Sequence, residues 1–213
     1  MSDKPPVFVS KYKEASGGYG SGLVPLLEHG DNLVIESDVV AKYVAQNIQN
    51  MGGKKDRMYP DDDSDACDLI EHFLSQWYPT VDKYYNLLTA TSLNEIKECE
   101  RDFQNALKSL ENIFNDENNN YSNDGDFLLG QHFSLAECIS APWIQRFYVT
   151  LPYFRGIDFD LEMKNNMSRL STWMKAVCKR PSVTSSKCPE DEMIAAAKRY
   201  YVSYITPGAK GTL

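Results

Sequence analysis

The side chains with most chemistry in them are thinly spread along this chain. Cys67, Cys99, Cys138, Cys178 and Cys188 form no CxxC motif and no Cys/His pair at zinc spacing, so no metal site is expected. Their number is odd, and Cys67, Cys99 and Cys138 fall in segments that read as helical, which fits reduced thiols of a cytoplasmic protein. His29, His72 and His132 are far apart, and serve a common catalytic group only if the fold gathers them. A tighter pattern lies in "GSGLVPLLEHGDNLVIESDVVAKYV", residues 20–44. It holds a Val-Pro pair, a turn, and a Glu-Ser pair at the start of an apolar helical repeat. Pro25 cannot donate to a strand ladder, so it needs a place where no partner requires its N–H. Glu36 or Ser37 stands where a helix is capped.

The elements that position these residues follow from periodicity. Residues 7–16, "VFVSKYKEAS", read as a short helix running into "SGGYGSG", a glycine-rich loop. "LVPLLE" (23–28) and "NLVI" (32–35) flank the turn "HGD" and predict an antiparallel hairpin. Val39, Val40, Tyr43, Val44 and Ile48 recur at helical spacing. The segment around "QNMGGKK" and "YPDDDSDA" reads as a linker. Beyond it, Leu69, Phe73, Trp77 and Val81 begin a long apolar stripe, in which Pro79 predicts a kink. "SLNE" (92–95) and Ser134 with Glu137 each spell a capping box, the second with Phe133 as its staple residue. Helices are expected over 133–149, 160–180 and 190–205, the second stopped by Pro181. The expected fold class is α+β then all-α, with residues 1–49 forming a small hairpin-plus-helix segment, 50–64 a linker, and 65–213 an all-helical domain.

Composition narrows the function. Thirty acids against 22 bases give a formal net charge of -8 over 213 residues. That balance argues against nucleic acid, which calls for a cationic surface. No apolar run reaches the length of a membrane span, and the first residues lack the apolar core of a signal peptide.

The order of Val-Pro in a hairpin strand, Glu-Ser opening a helix, a linker and an all-α domain resembles the glutathione transferase family. The likeness spans nearly the whole chain. "FLLGQHFSLAECISAPW" is similar to the family's Gly turn before a capped, buried helix, with Glu137 where the family usually has Asp, and "TWMKAVCKRPSV" to its late helix ending at Arg-Pro. "DKPPVFVSKYKEA" resembles omega-like and dehydroascorbate-reductase-like members. The resemblance implies a partial thioredoxin-like domain followed by a transferase-type helical bundle, with glutathione as co-substrate. It implies a cis bond before Pro25, the Val24 backbone offered to the cysteinyl part, Glu36 and Ser37 on the γ-glutamyl end, and Lys4 on the glycine carboxylate. A Ser at a helix N-terminus suits a carboxylate, and Glu36 suits an ammonium group. The family's catalytic Cys, Ser or Tyr follows its first strand, so the resemblance also implies that a β-α-β segment precedes this sequence, and that no catalytic residue lies within it.

Two functions follow as expectations. One is glutathione conjugation or thiol transfer to a small electrophilic or oxidised substrate, with Trp77, Tyr78, Tyr84, Trp143 and Phe147 as candidate pocket residues. The other is a non-catalytic scaffold that uses the fold for interaction. The open edge of the "LVPLLE" strand is expected to be covered in a homodimer or by a partner strand.

Overall fold

The computed structural model describes residues 4–20, 22–47, 58–117, 119, 121 and 125–200. They fall into two units, Met1–Asp63 and Ser64–Leu213. Much of the expected linker, and the expected helical residues Tyr201 and Tyr204, lie outside the described residues.

In the first unit, α1 (Pro6–Ala15) starts at a proline, whose missing N–H costs nothing in a first turn. The glycine loop follows. Gly20 has φ +85, and a Cβ there would lie 2.7 Å from the Tyr12 ring, so glycine is required. β1 (Leu26–His29) and β2 (Asn32–Ile35) form an antiparallel hairpin running from Leu26↔Ile35 to His29↔Asn32. The ladder begins after Pro25, not at residue 23, because proline has no N–H to give it. α2 (Ser37–Asn47) follows directly, and both α1 and α2 pack on β2. Tyr59 is buried, with Lys42 4.9 Å from its ring centre.

The second unit is helical. α3 (Ser64–Thr89) continues through Pro79 as one helix and buries Ile70, Phe73, Trp77, Val81, Tyr84 and Leu88. It pairs most extensively with α4 (Leu93–Phe114) and packs also on α5 (Leu135–Arg155). Phe73, Trp77, Phe114 and Trp173 form one aromatic cluster, with Phe73 and Trp77 5.2 and 5.9 Å from Trp173. Tyr84, Phe103, Phe147 and Phe159 form a second. Such pairs add about 0.5–1.5 kcal/mol each beyond their area.

One local reading needs correction. The single helix expected over 160–180 is two, α6 (Phe159–Asn166) and α7 (Ser168–Lys179). The chain breaks at Met167, which is buried and has φ -146 and ψ 67. The orphan donors at the start of α7 are met from α4, where the Glu111 carboxylate accepts the N–H of Arg169 (3.2 Å) and of Leu170 (2.6 Å). At Ser92 the hydroxyl accepts the Glu95 N–H, and the Glu95 carboxylate is held below the usual carboxylate range first by the N–H and hydroxyl of Thr91 and, to a smaller extent, by the Ser92 backbone. Phe133 has its ring partners in Phe127 and in Arg180, 4.0 Å above it. α8 (Pro181–Ser185) and α9 (Glu190–Tyr200) complete the described chain. Among the described residues no helix is long and apolar enough to cross a membrane, and no group of three His, Cys, Asp or Glu could hold a metal ion.

Candidate functional site

Hairpin register is the first positioning device in the small unit. Because Leu26↔Ile35 is the terminal pair of the ladder, Pro25 and Glu36 leave it side by side. The Val24–Pro25 peptide bond is cis. Val24 is 80% exposed, so its neighbourhood is open to a ligand. Glu36 has φ +71, the left-handed region that costs a side-chain-bearing residue about 1–2 kcal/mol. That geometry turns the chain sharply from β2 into α2. The Glu36 carbonyl already accepts the Val40 N–H at 2.8 Å, so Glu36 itself is the residue ahead of the helix and Ser37 its first member. Both are exposed, with Asp38 in the same first turn.

A second tie brings in Lys4. It is half-buried, and its ammonium donates to the Gly22 carbonyl, two residues before Val24. Gly22 is buried against Phe8, with φ +80. An ammonium has three donors, so this bond fixes the Lys4 head and leaves donors for an anion. The register thus sets Pro25 beside Glu36 and Ser37, and the Gly22 bond ties Lys4 to the segment that leads into Val24. Neighbouring charges are already paired elsewhere: Lys11 donates to Glu28, and His29 Nδ1 is 3.1 Å from the Tyr43 hydroxyl.

In the helical unit the candidate aromatics separate cleanly. Trp77, Tyr84 and Phe147 are fully buried core. Tyr78 is 40% exposed and Trp143 half-buried. Two residues not singled out from the sequence join Trp143. Tyr85 meets its ring edge-on at 5.5 Å, and the Arg146 guanidinium lies 4.9 Å over it while donating to the Pro142 carbonyl at 2.8 Å. The available signal was their residue types and the three-residue spacing of Trp143 and Arg146 on α5, Tyr85 coming from α3. Such a half-exposed Trp-Tyr-Arg group is suited to planar, electron-poor or anionic molecules.

Glu137 holds the bundle rather than a ligand. It is fully buried, and its carboxylate accepts the Ser134 N–H, the Ser134 hydroxyl, the Leu128 N–H and the Trp173 indole N–H, each at 2.7 Å. The Ser134–Glu137 capping box is present as read from the sequence. The link to Trp173 was not legible, because the partner is 36 residues away. All five cysteines lie in the helical unit. Burial pushes the Cys99, Cys138 and Cys178 thiols up from their ordinary value, the wrong direction for a nucleophile.

Known proteins place this architecture. The glutathione S-transferase C-terminal domain family matches residues 94–176. The chain is 24% identical over 188 residues to glutathione S-transferase L2, chloroplastic, from Arabidopsis thaliana, covering 88% of this chain. These likenesses support a member of the glutathione transferase family. It spans 56% of the length of that plant transferase. Its fold is that of glutathione transferase Omega 3C from Trametes versicolor, with a TM-score of 0.67 at 20% identity, over 94% of this chain and 77% of that one. A partial thioredoxin-like unit with a two-stranded sheet is followed by the transferase helical domain.

The strain at Glu36 gives a first prediction. Glu36→Gly is expected to raise the thermal stability of the small unit, by about 1 kcal/mol, since glycine adopts positive φ at no steric cost. Thermal melts of the variant check it; a loss of stability would mean that Glu36 is not strained.

Proposed function

We propose that this transferase-family chain binds glutathione at the open end of its hairpin. The observation that carries the proposal is the ladder register, which sets Pro25 beside Glu36 with Val24 exposed. In this reading Ser37 and the first N–H groups of α2 take the γ-glutamyl carboxylate. Glu36 takes the ammonium group, the Val24 backbone pairs with the cysteinyl part, and Lys4, steadied by Gly22, takes the glycine carboxylate. Trp143, Tyr85 and Arg146 are the surface we propose for a small electrophilic or oxidised second substrate. The activity of the whole protein is then conjugation or thiol transfer, and family likeness extends the proposal to a homodimer.

The cysteine environment supports a second reading for the described residues. With three thiols shifted away from reactivity and none of the five in the small unit, these residues hold glutathione without activating it, as in a non-catalytic scaffold. Either reading requires the binding site. Backbone amide NMR of the labelled chain tests it. Added glutathione is expected to move the Val24 and Ser37 amides saturably and leave those of α7 in place; amides that do not move contradict the proposal.

A further inference from the structure

We propose that α6 is a proton-sensitive element, seated more firmly on α4 when the Glu162 carboxyl is protonated than when it is charged beside Glu100. Glu100 and Glu162 line, from different helices, one shallow cavity walled also by Phe103 and Leu107 of α4, Leu151 of α5, and Phe159 and Met163 of α6. Apolar walls screen poorly and solvate charge poorly, so two like charges lining one such cavity disfavour each other. The Gln104 amide donates to Glu162 Oε1 and is the hydrogen bond between α4 and α6 at this cavity. A protonated Glu162 keeps a carbonyl oxygen for that bond, so the tie survives protonation while the repulsion does not.

Asp160 is 2.8 Å from Lys175 of α7, and the Asp158 carboxylate accepts the Leu161 N–H at the helix start. α5 and the turn before α6 line the cavity with Leu151 and Ile157, which do not titrate, and Met167 closes it beyond α6. Burial, with the Glu100 charge second, pushes the Glu162 carboxyl above the usual carboxylate range.

The sign follows by linkage. An acid held above its unfolded value binds more protons in the folded state, so its contribution to stability falls as pH rises through that window. The window opens at the ordinary glutamate value of about 4.3 and extends upward.

The test is thermal melting of the full chain and of Glu162→Gln and Glu100→Gln between pH 5 and pH 7.5. The melting temperature of the parent is expected to fall relative to Glu162→Gln as pH rises, by about 2 °C or more. Glu100→Gln is expected to reduce that fall. Hydrogen exchange on the parent chain, corrected for intrinsic rates, should show α6 amides better protected at pH 5 than at pH 7.5. Parallel melting curves, a parent that gains on Glu162→Gln with rising pH, or α6 protection independent of pH would each overturn the proposal. Should Glu162→Gln not fold, the Glu100→Gln curve and the exchange data decide it alone.

Discussion

Replacing Glu137 by alanine is expected to destabilise the helical unit by about 3–5 kcal/mol, the scale for stripping one partner from a buried charged network. Four donors converge on this one carboxylate: the Ser134 and Leu128 N–H groups, the Ser134 hydroxyl and the Trp173 indole. None of the donor residues has water to turn to, because Ser134, Leu128 and Trp173 are all fully buried. Each buried donor left unmet costs about 1–3 kcal/mol. The carboxylate also sits in the first turn of α5, where a negative charge is favoured by the helix dipole. Glu137→Gln should recover part of the loss and no more, since an amide nitrogen would be turned toward donors. Trp173→Phe should cost less than Glu137→Ala, since it withdraws one donor and keeps most of the ring packing. Urea unfolding of the three variants checks the order. A Glu137→Ala protein within 1 kcal/mol of the parent would mean that the carboxylate does not join α5 to α7.

Arg155→Met is expected to cost about 3–4 kcal/mol, through a different defect. Arg155 is the last residue of α5, followed by Gly156 at φ +67. Its guanidinium crosses to the end of α3, donating to the carbonyls of Leu87 (2.8 Å), Leu88 (2.7 Å) and Ala90 (2.8 Å). The last carbonyls of a helix have no intrahelical donor, and a cation there also meets the negative end of the dipole. Methionine matches the length of the stem and none of the donors, so it isolates the capping bonds from the packing. The loss should appear as faster hydrogen exchange in the last turn of α3 as well as in global unfolding. Unchanged exchange there would contradict the capping role.

These two residues show what a sequence conceals. The stripe of Ile70, Phe73, Trp77, Val81 and Tyr84 was legible because helical period is a local signal, and each is buried in α3. The Ser134–Glu137 box was legible for the same reason. The Trp173 partner of Glu137 and the α3 carbonyls under Arg155 were not, since the contacts span 36 and 65 to 68 residues. The break at Met167 was hidden too, because the apolar period runs on through it and the cap for α7 is borrowed from Glu111. At the hairpin, strand and turn types were readable, whereas the start of β1 after Pro25 is a consequence of pairing. Lys4 was readable as a residue type only; its tie to Gly22 depends on how α1 folds back along the glycine loop.

Isothermal titration of glutathione into the full chain and into Ser37→Ala tests the central claim most directly. The account predicts saturable heat for the parent chain and binding at least tenfold weaker for Ser37→Ala, at unchanged helix content, because the hydroxyl and the α2 N-terminus receive one charged group together. Equal binding by the two proteins, or no heat from a folded parent, would contradict a glutathione site at the end of the hairpin.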